Sequence, residues 1–445
     1  MRVFNEFDAV RSLSPEQRPR EREHTGRYLV LLREDAVEEG AAALRAIDGL
    51  KVASTADFDS GVPDPDEVKA ADAVVFQELG VALVDAPPER MTGVSAAMAT
   101  DSAVLAVEPE RVCKAIQFGA PGEAPSSPDY LRGYRDGVQD ILGRRSLGPR
   151  STEARAARVS FDESRLTWGL QVTRVDCSGA DGSGIKVAVL DTGMFLAHGD
   201  FAGRTVTTES FITGETVDDV LGHGTHCDGT ACGPHQPGAD PRYGIAFGAD
   251  IFVGKVLNNR GRGGDGGILA GVDWAVRNGC HIVSMSLGAP VWPGEGFSVV
   301  FEQAALRALA AGTLIVAAAG NESDRPGFVA PVGHPANCPS IMAVAAVDSQ
   351  LQVAWFSNGA VNPQGGEVDI AGPGVDVRSS WLAPTLYRTI SGTSMATPHV
   401  TGIAALWAQQ TNVRGADLWK ALTTSARDIG LPPEDVGAGL VQAPT

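Results

Sequence analysis

The stretch Ile185-Lys-Val-Ala-Val-Leu-Asp-Thr-Gly193 decides the fold class. Up to Leu190 it is short and nearly continuous in apolar character rather than alternating, the pattern of a strand buried on both faces of a parallel sheet. An Asp-Thr-Gly turn ends it. Similar runs follow at Ile251–Val256, His281–Ser286 and Thr313–Ala319, separated by helical patterns at Ile268–Asn278 and Phe301–Ala311, with another at Ala396–Gln410. This grammar predicts an α/β domain over 166–445, built on a doubly wound, mostly parallel sheet, with its chemistry at the carboxyl ends of the strands.

Outward from that domain, composition sets limits. With 445 residues, 43% of them apolar and 20% charged, the chain has material for two or three domains and is not disordered throughout. No window approaches the roughly 18 consecutive apolar residues of a membrane span, so no membrane partner is expected. The net charge of −18 repels phosphate backbones, and nucleic acid is not expected as a partner either. Six cysteines without a Cys-x-x-Cys pair do not make a disulfide scaffold. Met1 to Glu23 carries Glu6, Asp8, Arg11, Glu16, Arg18, Arg20 and Glu21 where a secretory signal would need an apolar run. The expectation is a cytoplasmic protein, or one exported by a non-classical route.

Residues 1–25 read as a flexible leader. Arg27–Arg33 then reads as a strand, Ala36–Ile47 as a helix and Lys51–Phe58 as a second strand. Two apolar runs around Gly80 between Ala73 and Asp85, a helix over Pro87–Ala99 and a strand over Ala103–Val107 follow. This order predicts a small ferredoxin-like α+β domain over 26–116. Residues 117–165 have linker composition, except that Leu131, Tyr134, Val138, Ile141 and Leu142 fall at helical spacing and predict a docking amphipathic helix.

Three short sequences carry chemistry: Val187-Ala-Val-Leu-Asp191-Thr-Gly193, Gly222-His223-Gly-Thr-His226-Cys227 and Ser391-Gly-Thr-Ser394-Met-Ala-Thr-Pro-His399. Alone, each is ordinary: a turn, a structural histidine, a helix N-cap. Together they supply what acyl transfer requires. Ser394 would supply the hydroxyl nucleophile, His223 the imidazole to remove its proton, and Asp191 the carboxylate to hold the imidazole's tautomer. Glycines flank all three and allow close backbone approach.

These blocks resemble those of the subtilisin-like serine proteases, and the Cys227 block is similar to the proteinase K branch. The resemblance runs from about Leu166 to Gln442, where Gly437-Ala-Gly-Leu-Val-Gln-Ala443 is similar to the family's C-terminal turn. It implies a serine endopeptidase acting on proteins or peptides, with Asn321 of Ala317-Ala-Ala-Gly-Asn321 as an oxyanion donor and His226 in a structural role. An extended substrate would pair with Ser286-Leu287-Gly288 on one side and Gly261-Arg262-Gly263 on the other. Ala318, Ala319, Gly320 and Gly333 would shape the primary pocket. Glu322 beside that pocket, and Asp265 at a more distant one, lead to an expected tolerance for basic side chains at both.

Val107-Glu-Pro-Glu-Arg-Val-Cys-Lys-Ala-Ile116 is similar to the end of the family's inhibitory propeptide, so the first domain is expected to be the chain's own intramolecular inhibitor. A cut at Ile116/Gln117 or near Arg144-Arg145 would separate the two domains. No cofactor is needed for the chemistry. Structural calcium is common in such proteases, and Asp200 and Asp218 are candidate oxygen ligands. Cys227 reads as a buried thiol, while Cys177, Cys232, Cys280 and Cys338 leave a disulfide open. The rival readings are a catalytically silent binding protein of the same fold and an aspartic-type protease that pairs Asp191 with Asp59.

Overall fold

The computed structural model describes residues 23–47, 50–57, 71–86, 103–116 and 160–445. The helices expected over Pro87–Ala99 and Asp129–Arg144, and most of the linker, lie outside the described residues.

The N-terminal domain comprises β1 (His24–Leu32), α1 (Val37–Arg45), β2 (Val52–Ser54), β3 (Ala73–Phe76), β4 (Val81–Val84) and β5 (Val104–Ala115). Its sheet runs β5-β1-β4-β3-β2, with β1 antiparallel to both β4 and β5 and β3-β4 an antiparallel hairpin. The alternation of β1 divides its side chains between two cores. Val30 and Leu32 pack with Leu44, Val75 and Val84, while Leu29 and Leu31 face a core shared with the second domain. Each such buried leucine contributes about 1.5–3 kcal/mol.

Two expected boundaries move. The strand expected over Lys51–Phe58 shrinks to a short edge strand parallel to β3, because the next residues bond locally: Ser54 N–H donates to the Asp57 carboxylate and Ala56 N–H to Ser54 Oγ. In the other direction, β5 runs on to Ala115 instead of stopping near Val107. Its second half has partners of its own in the second domain.

In that domain β6 (Lys186–Asp191), β7 (Val206–Ser210), β8 (Asp250–Lys255), β10 (Ile282–Met285), β12 (Leu314–Ala318), β13 (Met342–Val347) and β14 (Ile370–Pro373) form one parallel sheet in the order β14-β13-β12-β10-β6-β8-β7. The short strands β9 (Arg262–Gly264) and β11 (Leu287–Gly288) stand apart from it. The main helices are α2 (His223–Cys232), α3 (Asp265–Arg277), α4 (Val299–Ala310) and α5 (Thr393–Thr411).

Again the strand period sorts the layers. Ala188 and Leu190 of β6 pack with Ile268, Leu269 and Phe301 of α3 and α4, and Val187 and Val189 pack with Cys227, Ala231 and Ile403 of α2 and α5. This is the doubly wound sheet the apolar runs predict. The chain leaves β6 in one direction toward β8 and β7 and later fills the other side with β10 and β12. Asp191, at the carboxyl end of β6, therefore stands at the switch point where such sheets open a crevice.

The N-terminal domain docks on α3 and α4. Glu110, fully buried, accepts from Gly266 N–H in the first turn of α3 and from Arg27, while Glu108 accepts from Ser298 Oγ and Val299 N–H at the start of α4. Both carboxylates meet the positive ends of helix dipoles. Asp273 of α3 accepts from the Glu78 and Leu79 N–H groups, and Arg307 of α4 donates to the carbonyls of Leu32 and Leu79.

Candidate active site

Asp191 ends β6, His223 opens α2 and Ser394 lies in the first turn of α5, and all three are buried. The Asp-Thr-Gly and Gly-His turns need their glycines. Gly193 has φ +98° with the Val217 carbonyl where a Cβ would stand, and Gly222 has φ +93° against the Trp381 ring. Ser394 is not an N-cap, since that position belongs to Gly392.

His223 Nδ1 and Asp191 Oδ1 are 2.7 Å apart, which fixes the ring and leaves Nε2 pointing away. Nε2 has no hydrogen-bond partner. The Ser394 hydroxyl donates to the Ser286 carbonyl at 2.9 Å. Burial alone would pull the His223 pKa down, but the charge and hydrogen bond of Asp191, helped by Asp219, leave it raised above the ordinary imidazole value.

Asp219, which the sequence reading passes over, holds this corner together. It accepts from Thr192 Oγ1, from the N–H groups of Leu221, Gly222 and Thr225, and from Thr225 Oγ1. A carboxylate just ahead of α2 thus satisfies helix donors that would otherwise be orphaned and ties them to the Asp191 turn. The only signal in the sequence is an Asp three residues before a helix-starting Gly-His.

His226 faces away from the nucleophile and bonds through Nε2 to the Val377 carbonyl, with burial pushing its pKa down to about 3. Cys227 is also buried. Its Sγ lies 3.6 Å from the Ser394 carbonyl, and burial raises its pKa, so the thiol stays protonated. All six cysteines are free.

The end of β5 enters the crevice. Lys114 and Ala115 pair antiparallel with Gly288 and Leu287 of β11, while Val112, Cys113 and Lys114 pair antiparallel with Gly264, Gly263 and Arg262 of β9. Ala115 N–H also donates to the Gly261 carbonyl. The tail is thus the middle strand of three, and Ile116 follows it. Asn321 Nδ2 donates to the Ile116 carbonyl at 3.3 Å, and Asn321 Oδ1 is anchored by Thr393 N–H and Oγ1, both at 2.9 Å. Gly320, Ala319 and Gly333 adjoin this point. Gly333 N–H donates to the Ala319 carbonyl, and any Cβ on Gly320 would strike Asn358 and Glu322.

The sequence of the second domain matches the Subtilase family over residues 182–439. This chain belongs to the subtilase family. It is 36% identical to subtilisin DY of Bacillus licheniformis over 264 residues, spanning 59% of this chain and 90% of the relative. Against subtilisin Savinase of Lederbergia lenta it is 37% identical over 286 residues, spanning 62% and 97%. Against the thermostable alkaline protease of Halalkalibacterium halodurans it is 38% identical over 292 residues, spanning 64% and 74%. As a subtilase the chain is a serine endopeptidase whose substrates are peptides or proteins, and it needs no cofactor for catalysis.

Several expectations about this subtilase change. Asp191 bonds an imidazole, not a second carboxyl, and its supposed mate Asp59 lies outside the described residues. The Asp200 carboxylate accepts from Gly238 N–H and from the hydroxyls of Tyr243 and Tyr387. Asp218 is exposed and accepts from Thr216. Glu322 is tied by Oε2 to Asn358 Nδ2, and Asp265 is buried against His334, with 3.0 Å between Asp265 Oδ1 and His334 Nε2. Glu322 is exposed, whereas Asp265 is buried beneath Cys113 and is not the open acidic surface that the expected tolerance for basic side chains assumes. His334, distant in sequence, carried no signal of this pairing.

Proposed function

We propose that this endopeptidase is made as a self-inhibited precursor, cut after Ile116, in which residues 26–116 block the cleft of the catalytic domain at 166–445. The observation that carries the reading is the pose of Ile116. Its carbonyl meets the Asn321 amide at the end of a strand paired on both sides, the path a substrate would take.

In the proposed mechanism, a rotation about the Cα–Cβ bond of Ser394 carries its hydroxyl from the Ser286 carbonyl to the unpartnered Nε2 of His223. As Oγ attacks the scissile carbonyl carbon, its proton passes to Nε2, and Asp191 stabilises the imidazolium. Negative charge then develops on the carbonyl oxygen, facing Asn321 Nδ2 and the Ser394 N–H at the start of α5. Collapse breaks the C–N bond, and His223 returns the proton to the leaving amine. Water, deprotonated by the same imidazole, releases the acyl group and restores the serine.

Ser286, Leu287 and Gly288 with Gly261, Arg262 and Gly263 bind the substrate backbone in this reading, and Ala319, Gly320 and Gly333 line the primary pocket. No calcium role is assigned to Asp200 or Asp218. N-terminal sequencing of the wild type and of Ser394→Ala tests the precursor: the wild type starts at Gln117, and the variant remains intact. A variant cut at the same bond would place the cleavage in another protease's hands.

A further inference from the structure

We infer that the subsite holding the fourth residue before the cut selects small side chains that donate a hydrogen bond, and that Asp265 and His334 determine this. The inference rests on the endopeptidase reading, with the path of the inhibitory tail standing for that of a substrate.

Counting back from Ile116, the fourth residue is Cys113, which is completely buried. Its backbone pairs with Gly263 of β9, so register fixes where the side chain goes. The floor it meets is polar. Cys113 Sγ donates to Asp265 Oδ1 at 3.4 Å, and the same oxygen lies 3.0 Å from His334 Nε2, while Asp265 Oδ2 accepts from Arg111 N–H at 3.0 Å. Asp265 and His334 are themselves 2% and 1% exposed. Around them the surroundings are apolar: Cys113 shares a cluster with Ile268, Leu269, Val300 and Phe301, and the Phe301 ring stands edge-on to His334 at 4.6 Å.

The arrangement is a buried pocket in which one acceptor, Asp265 Oδ1, faces the incoming side chain. A thiol or hydroxyl satisfies it without bringing charge. A valine or leucine buries Asp265 Oδ1 with one donor fewer, and a site built to hydrogen-bond rejects the analogue that lacks the donor more strongly than an apolar pocket rejects a size change. A lysine or arginine meets a carboxylate whose charge already faces His334, in a space that a cysteine fills. The geometry therefore orders the preference as Cys, Ser and Thr above Val and Leu, with Lys and Arg below them.

Threonine and valine have nearly the same shape, so a pair of otherwise identical fluorogenic peptides isolates the hydrogen bond. For activated wild-type enzyme the expected kcat/KM ratio, Thr over Val at the fourth position, is about tenfold or more. In Asp265→Leu the ratio falls to one or below. Asp265→Asn, which preserves shape and one acceptor, keeps a ratio between the two should the leucine variant fail to fold. A wild-type ratio near one, or a preference for Leu, Lys or Arg over Thr, overturns the inference. Labelling of the same preparation by a fluorophosphonate shows separately whether the serine chemistry is intact, so a specificity failure is not confused with loss of the enzyme.

Discussion

The Asn321 carboxamide donates through Nδ2 to the carbonyl of Ile116, while its Oδ1 accepts two hydrogen bonds from Thr393, the residue before Ser394. One side chain thus links the tail's last described residue to the turn that presents the nucleophile. The amide cannot flip without losing both Thr393 bonds, so the donor stays aimed into the cleft before any charge forms there.

Replacing Asn321 by Ala should lower kcat by about 10²–10³, corresponding to about 2.7–4 kcal/mol, a magnitude that comes from subtilisin, a relative of this chain. The KM should change little and the circular dichroism spectrum not at all. A kcat within threefold of wild type would remove Asn321 from the chemistry.

The activity must also follow the protonation of His223. Its neutral form is the base, and its pKa is raised, so kcat/KM should fall as the pH drops through a value above the ordinary imidazole 6.5. Asp191→Asn removes the larger charge that raises it and leaves burial opposed by the weaker effect of Asp219. The acid limb should then move to lower pH, and kcat should fall about 10⁴-fold, as in other serine protease triads. A pH–rate profile of each enzyme reads both effects.

Docking of the N-terminal domain should depend on Glu110. Removing this buried acceptor leaves Arg27 and Gly266 N–H unpaired at the start of α3, a loss of about 1–3 kcal/mol. In a Ser394→Ala precursor, Glu110→Ala should therefore let an added protease degrade the N-terminal domain about fivefold or more faster, as followed by gel electrophoresis.

Asp228 makes the opposite kind of prediction. It is fully buried in α2, neither carboxylate oxygen has a hydrogen-bond partner, and burial first, then the charges of Asp191 and Asp219, raise its pKa well above the usual range. The folded state therefore holds a proton that the unfolded chain releases above about pH 3.9, and the cost of Asp228 grows as the pH rises beyond that point. Asp228→Ala in the Ser394→Ala background should stabilise the protein by roughly 1–3 kcal/mol at pH 8 and by less at pH 4. Denaturant unfolding at the two pH values measures it.

Much of this architecture could be read from the sequence because buried parallel strands are written as short apolar runs. Ile185–Leu190 and Thr313–Ala319 match β6 and β12 to within a residue or so at each end. The polar edge strand β7, Val-Thr-Thr-Glu-Ser, left no such run. The pairs β5-β9 and β5-β11 were legible only through the resemblance, since Arg262-Gly-Gly264 becomes a strand only because a tail lies beside it. Asp191, His223 and Ser394 stood out because their glycine-flanked motifs are local. Asp219 and the Asp265–His334 pair did not, because their roles come from neighbours that folding supplies.

The central claim is that Ser394 is the nucleophile of a cleft that residues 26–116 keep closed. A fluorophosphonate probe followed by peptide mass spectrometry addresses it directly. The activated enzyme should carry the phosphonyl adduct on Ser394, the unprocessed Ser394→Ala precursor should carry none, and labelling should begin only as the N-terminal domain is lost. An activated enzyme that cuts peptides while Ser394 stays unmodified, or an adduct on another residue, would contradict the account.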